Sequence, residues 1–468
     1  MAEIDPRWAW EPYKPSNQSP WDFRKVGHLY RRVGFGATWE ELEAGLKAGP
    51  DQAIDLLLKG EPGQDDIDQL TKQLAKEAAK SNDDQQLRAS WLYGMLYSKH
   101  PLREKLTLFW HNHFATSNAK VQNVGFMLGQ YELMSRHALG SFRDLLDQMS
   151  KDPAMMVWLD TRESKKGKPN ENYAREVMEL FSLGIGHYTE KDIREAARAF
   201  TGWDIDDGKA VFDPNQHDDT EKTVLGRKGK WQGEDIIRIC LEQKSCPPYV
   251  AGKLFRFLIS ESIPATPELL EPLADRFRKS DYNFGMLVET MLRSNFFFSP
   301  AVYRTRIKSP VEFILAIVRP IVLPLERAIA MIPLANALQS LGQDLFHPPS
   351  VKGWDGGAAW LNGQTLLFRQ NLALALTSTE DGRFGRGADP AALAEKFGKK
   401  TDQELVDFFL RLFYQDDIPA ESRTRLLDYQ KKAHDQPKPK YWMDKDAAEN
   451  RVRTLCHLVL TLPEFQLD

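Results

Sequence analysis

The sequence predicts a mainly α protein: a large multi-helix domain with a small β-hairpin insertion, followed by a C-terminal helical bundle. Three observations predict this. Apolar residues recur at helical spacing along most of the 468 residues. Helix start and stop signals bracket those periodic stretches. The clearest strand pattern is one short piece, "GWDIDDGKAVFDP".

Taken in order, "GATWEELEAGLKAG" places Thr38 and Glu41 at capping-box spacing, with Gly49-Pro50 as the expected end of that helix. "DDIDQLTKQLAKEAAK" and "DDQQLRASWLYGMLYSKH" give two more helices, parted by Ser81-Asn82. "PLREKLTLFWHNHF" opens on Pro101, which is favourable in a first turn. Helices continue through "GFMLGQYELMSRHAL" and "SFRDLLDQM". Asp207-Gly208 between two alternating runs makes a hairpin turn near 203–212. "EKTVLGRKGKW" adds a strand or an ordered loop. Helices resume from "GEDIIRICLEQ" through "ANALQSLGQDLF", and a Gly- and Pro-rich loop, "HPPSVKGWDGGAAWLNG", follows. One more helix leads to the expected linker "TSTEDGRFGRGADPA". The predicted division is a large domain over 1–378 and a helical subdomain over 391–468, the latter interrupted by the polar loop "KKAHDQPKPK".

Composition narrows the function classes. With 62 Lys and Arg against 66 Asp and Glu, the chain lacks the basic excess of a protein that holds nucleic acid mainly by charge. Cys240, Cys246 and Cys456 are too few for a disulfide framework or a zinc motif and read as buried thiols. The first residues show neither a basic n-region nor an apolar h-region. The longest apolar run, "PVEFILAIVRPIVLP", is broken by Glu312, Arg319 and Pro320, and a membrane helix needs about 20 apolar residues. The expectation is a soluble, cytoplasmic protein without a nucleic-acid or membrane partner.

The chemistry concentrates in "NENYAREVMELFSLGIGHYTEKDIREAARAFTGW", from Asn170 to Trp203. On a regular helix Asn172, Arg175, Glu176 and Glu179 fall within about 100° of one another, with Tyr173, Val177, Met178 and Phe181 opposite. Asn170 and Glu171 lie just before this arc, and Arg194 and Arg198 lie four apart on the next helix. Such an arc is either a solvated face laced with i,i+4 pairs or one wall of a site. Three carboxylates share one arginine on the arc, so a buried arc needs outside partners. The expected partner is Arg194 or Arg198 for Glu176 or Glu179, with a cation or His111/His113 as the substitute.

Four further groups are candidates. His111 and His113 in "FWHNHFATS" could share a metal only where the helix ends, since residues two apart diverge by about 200°. No Glu-x-x-His motif supports a di-iron site. His217 and Asp218 follow the hairpin and suit acid/base work. His347, Lys352, Trp354, Trp360 and Asn362 occupy the glycine-rich loop, where Gly353, Gly356 and Gly357 permit unusual backbone geometry and the tryptophans offer flat apolar faces. Asn362 equally suits an N-cap. The loop is expected to be ordered, with a tryptophan turned toward the charged helix. No nucleophile elbow and no dinucleotide-binding glycine pattern is present.

The segments "HLYRRVGFGAT", "FWHNHFATS", "LDTRESKKGKPNENYAREVMELFSLGIGHYTEKDIREAARAFTGW", "YRTRIKSPVEFILA" and "LFHPPSVKGWDGGAAWLNG" together resemble the bacterial domain-of-unknown-function family 1800, in order, from about Gly27 to Leu374. Members of that family often carry "HTLG" where this chain has Phe181-Ser182-Leu183-Gly184, which removes one candidate ligand. The resemblance implies a large helical domain. It also implies a protein partner resembling the alkaline-phosphatase and sulfatase enzymes, whose genes lie beside the family's. Many relatives are exported, which leaves the location open. It assigns no catalytic residue.

Two functions therefore stand. One is an enzyme, a hydrolase, acting on a phosphorylated or sulfated small molecule or sugar in a carboxylate, arginine and histidine cleft. Glu176, Glu179, His217 and Asp218 would do the chemistry, and Asn170, Glu171, Asn172, Arg175, Arg194, Arg198, His347, Lys352, Trp354, Trp360 and Asn362 would bind. The cofactor is open, a divalent metal on His111 and His113 being the candidate. The other is a non-catalytic accessory partner of the hydrolase-like protein. Convergence of these segments in one concave pocket favours the enzyme.

Overall fold

In the computed structural model, which describes residues 4–434 and 444–468, helices dominate and the paired strands form two small antiparallel hairpins. Local signals explain most boundaries. Thr38 and Glu41 form the capping box: Glu41 N donates to Thr38 Oγ1 at 3.1 Å and Thr38 N to Glu41 Oε2 at 2.7 Å. Gly49 does not end this helix. Its φ of +81° kinks it, and Pro50 restarts it, so the element runs Trp39–Lys59. Proline opens a helical segment well because the first-turn N–H has no partner in any case. Asp207 and Gly208 both have positive φ, 45° and 72°, which matches the twist between strands Trp203–Asp206 and Lys209–Phe212. The second stretch is a hairpin as well, Lys222–Val224 against Arg227–Gly229.

Helix Pro101–His113 runs through the middle of the molecule. It packs against Phe23–Gly34, Trp39–Lys59, Asp84–Tyr97 and Val124–Arg136. Its Trp110 is fully buried and stacks on Phe142 with ring centroids 5.6 Å apart. Truncating such a side chain costs about 3–5 kcal/mol. Helix Pro310–Leu325 is buried from Pro310 to Val322, which explains its membrane-like run as core. Among the described residues no helix is long and apolar enough to cross a membrane. All three cysteines are buried and free.

The C-terminal helices Asp402–Tyr414, Ala420–His434 and Asp444–Leu460 pack on one another, and the last also packs on Gly363–Thr377 and Pro390–Lys396. The expected linker is partly packed: Phe384 is buried and its carbonyl accepts from Ala330 N at 3.0 Å. Most of the polar loop "KKAHDQPKPK" lies outside the described residues.

Candidate functional site

The charged helix begins as predicted and then changes geometry. Asn172–Glu176 is α-helical, and Val177–Ser182 is a π-helical turn. The apolar side is as the spacing predicts, with Tyr173, Ala174, Val177, Met178 and Phe181 buried. Leu183 N reaches back five residues to Met178 O at 3.0 Å. A widened turn takes carbonyls out of the ordinary ladder, and such turns concentrate at functional sites. Side chains from two other helices use the carbonyls that follow. Tyr249 OH donates to Leu180 O at 2.8 Å and Lys253 Nζ to the same oxygen at 3.1 Å. His113 Nε2 donates to Phe181 O at 3.1 Å, which leaves Nδ1 as the acceptor for Lys253 Nζ, also at 3.1 Å. Burial, with Lys253 adding to it, pushes His113 well below the usual imidazole pKa, so the ring is neutral. Burial pushes the Lys253 ammonium down to about 8.

These groups sit on the wall of a cleft of about 270 Å³. Asn112 and His113 come from Pro101–His113; Lys253, Arg256 and Phe257 come from Cys246–Leu258 and the glycine-rich loop adds Lys352, Trp354 and Trp360. The loop is clasped at its backbone: Trp354 N donates to Asn112 Oδ1 at 2.7 Å, and Asn112 Nδ2 donates to Trp354 O at 3.3 Å. Gly353 has φ of +77°, and a Cβ there would land inside the Asn112 carboxamide, so only glycine allows this approach. At the inner wall of the cleft, Glu312 accepts from Lys105 Nζ at 2.5 Å and pairs with Arg306 at 3.3 Å, all three fully or almost fully buried. Burial opposes ionisation of Glu312, but Arg306 and Lys105 outweigh it and hold the carboxyl well below the usual range.

Glu176 and Glu179 are half-buried rather than in bulk solvent, and Glu176 is close enough to Lys352 of the cleft to feel its charge. Burial first, then Glu179, pushes Glu176 up to about 7, against the opposing pull of Arg175 and Lys352. Glu179 accepts from Tyr188 OH at 2.5 Å. The expected ion pair between these glutamates and Arg194 or Arg198 does not form among the described residues. Arg198 is taken by Asp218 at 2.8 Å and Glu195 at 2.9 Å, and Arg194 is exposed. Arg175 turns outward to Glu190, at 2.8 Å through both of its terminal nitrogens, and more loosely to Glu171 at 3.3 Å. The helix that follows, Glu190–Ala199, packs on Asn172–Glu176, where Tyr173 meets Phe200, and its Arg198 reaches Glu221 O at the start of the second hairpin instead.

The structure thus brings Glu176, His113, Lys352, Trp354 and Trp360 to one region and leaves the others elsewhere. His217 is buried, its Nδ1 donating to Thr201 O at 3.0 Å, and Asp218 anchors Arg198 and Thr220; this is a structural latch for the hairpin. In Asp218 burial is outweighed by hydrogen bonds from Arg198 and Thr220, which hold its pKa far down. His347 faces the Asp84 carboxylate at 3.0 Å. Asn170 holds Asn172 N at 2.8 Å within its own loop, and Asn172 is exposed. Asn362 caps Gly363–Thr377, accepting from Thr365 N at 2.9 Å. His111 accepts from Phe346 N at 3.1 Å, and burial pushes it down to about 3. The two histidines therefore address different partners, and among the described residues no three His, Cys, Asp or Glu side chains are grouped to hold a metal.

The family model described as "Protein of unknown function (DUF1800)" matches residues 28–467. The chain belongs to the DUF1800 family. No curated protein and no solved structure matches. Membership in DUF1800 agrees with the motif resemblance and carries it past Leu374 into the C-terminal helices. Sequence reading of this DUF1800 chain missed Tyr249, Lys253, Arg256, Glu261 and Arg306 at the cleft and its wall. One signal was available: Tyr249, Lys253 and Arg256 follow at i, i+4 and i+7 in "CPPYVAGKLFRFL", a polar stripe along an otherwise apolar helix.

Proposed function

We propose that this protein is a hydrolase-type enzyme acting on a phosphorylated or sulfated small molecule, sugars included, bound in this cleft. The observation that carries the reading is a set of cations without ion-pair partners: Lys253, Arg256 and Lys352 line one cleft, which Glu261 and Asp355 also line, and none of the three cations is paired to a carboxylate among the described residues. Unpaired cations around a concavity are suited to an anion's oxygens. Trp354 and Trp360 give the same cleft apolar faces on which a sugar ring can lie. Glu176, with a pKa of about 7, is poised to both give and take a proton near neutrality, as a general acid or base must. The roles expected of Arg194 and Arg198 pass to Lys253, Arg256 and Lys352, and that of the histidines to neutral, positioning His113.

Calorimetry with inorganic phosphate and sulfate, and hydrolysis of p-nitrophenyl phosphate and sulfate, test this on the full chain. Binding of either anion is expected, weakened at least about tenfold in Lys352→Ala/Arg256→Ala. Glu176→Gln is expected to lower kcat by about 10²–10⁴ while retaining binding. Failure of both anions to bind and both esters to react would defeat the reading.

The accessory role keeps one supporting observation. Leu366, Leu367 and Leu374 on Gly363–Thr377 are 42%, 62% and 48% exposed, an apolar face next to the cleft loop. Co-elution with the phosphatase- and sulfatase-like protein that the family resemblance implies, lost in Leu367→Glu, would support it; separate elution at micromolar concentration would not.

A further inference from the structure

We propose that Lys253 is an amine nucleophile that captures the carbonyl carbon of an anion-bearing aldehyde or ketone in the cleft as an imine. This rests on the reading of the cleft as an anion site and names a covalent step for it. Three observations place the amine. Its nitrogen is held by two neutral acceptors, His113 Nδ1 and Leu180 O, each at 3.1 Å. It has no carboxylate partner among the described residues, so no salt bridge must be broken to free it. Two other cations, Arg256 and Lys352, line the same cleft, where they can receive an anionic tail. Lysines are activated as nucleophiles by desolvation of this kind.

Geometry limits the role of the histidine. With Nε2–H committed to Phe181 O, the Nδ1 lone pair fixes the direction of the Lys253 nitrogen. His113 is a positioning residue. It is neutral, and burial makes it a weak base, so the proton leaving the ammonium goes to water. The lone pair of the resulting amine attacks the carbonyl carbon. A C–N bond forms, the carbonyl oxygen takes a proton to give a carbinolamine, and loss of one water leaves the C=N bond. No electron donor or acceptor is needed. The half-buried position of Lys253 and its burial-lowered pKa of about 8 give a larger fraction of neutral amine near pH 8 than an ordinary surface lysine has.

The test is borohydride trapping on the full-length protein at pH 8, with pyridoxal 5′-phosphate as the anionic aldehyde and propionaldehyde as the neutral one, read by peptide mass mapping. Adduct at Lys253 at least about tenfold above any other lysine, competed by inorganic phosphate, is the expected result. Adducts spread evenly over surface lysines, or none at Lys253, overturn the proposal. Lys253→Arg keeps donors for His113 and Leu180 O but cannot form an imine. It should melt like the parent and lose the cleft adduct; retention of that adduct on another residue overturns the assignment. The two readings separate cleanly. Phosphate binding by calorimetry without any Lys253 adduct removes the imine and leaves the anion site. A selective propionaldehyde adduct that phosphate neither binds near nor competes with keeps the nucleophile and removes the anion site.

Discussion

A carboxyl side chain without an arginine changes the expected consequence of its removal. Had Glu176 paired with a buried arginine, truncation would strand that charge at a cost of about 3–5 kcal/mol. In the structure Glu176 has no ion-pair partner among the described residues, and burial raises its pKa from 4.5 to about 7. The folded state therefore binds a proton more tightly than the unfolded chain does. That contribution is complete below pH 4.5 and is lost as the pH rises to about 7. Glu176→Gln should accordingly be more stable than the parent above pH 7, by about 1–2 kcal/mol once partial exposure is allowed for. The two should converge near pH 4.5. Urea melts of both proteins between pH 4.5 and 8 measure this; a gap that does not change with pH would remove the perturbed carboxyl.

At the scale of elements, the π-helical turn and the glycine-rich loop each depend on a few cross-links. Tyr249→Phe deletes the donor to Leu180 O and Glu179 O while keeping the ring. It should cost about 1–2 kcal/mol, because a partly buried carbonyl loses its strongest donor. It should also raise amide exchange in residues 177–184 more than elsewhere, which a uniform loss of stability would not do. Gly353→Ala acts on the loop. The φ of +77° and the Asn112 carboxamide leave no room for a methyl group. A cost above about 1 kcal/mol is expected, with a shift in the fluorescence of Trp354 as the loop leaves Asn112. An unchanged melt and spectrum would mean that the loop is not clasped there.

For the whole molecule, the buried charges on Lys105, Arg306 and Glu312 join the central helix to the long core helix Pro310–Leu325 and to the segment before it. Arg306 also reaches Asp468 at 3.6 Å, tying in the residues that follow the last helical turn. Removing one member leaves others uncompensated, so Glu312→Gln should cost about 3–5 kcal/mol at pH 7. The sign with pH is opposite to that of Glu176. A depressed carboxyl contributes stability above its unfolded value of 4.5, which is lost as the pH falls through the much lower folded value. The gap between parent and variant should therefore narrow as the pH drops below about 4.5, as denaturant melts at pH 7, 4 and 3 would show.

The sequence by itself determined the elements. Helical periodicity, the Thr38–Glu41 capping box, the Asp207-Gly208 turn and the Asn362 cap are interactions among residues a few positions apart, so spacing alone specifies them. It also placed Lys352, Trp354 and Trp360 in a loop that does line a cleft. Only the tertiary structure decided what each polar side chain faces. Arg198 found Asp218 rather than Glu179, because the helix after Gly186 packs with Arg198 toward the second hairpin. Lys253 met His113, 140 positions away in the chain, across a turn whose π geometry no residue spacing announces. Partner choice of this kind is set by the packing of apolar faces. That packing is non-directional and roughly proportional to area, and it brings polar groups together without local sequence recording which will meet.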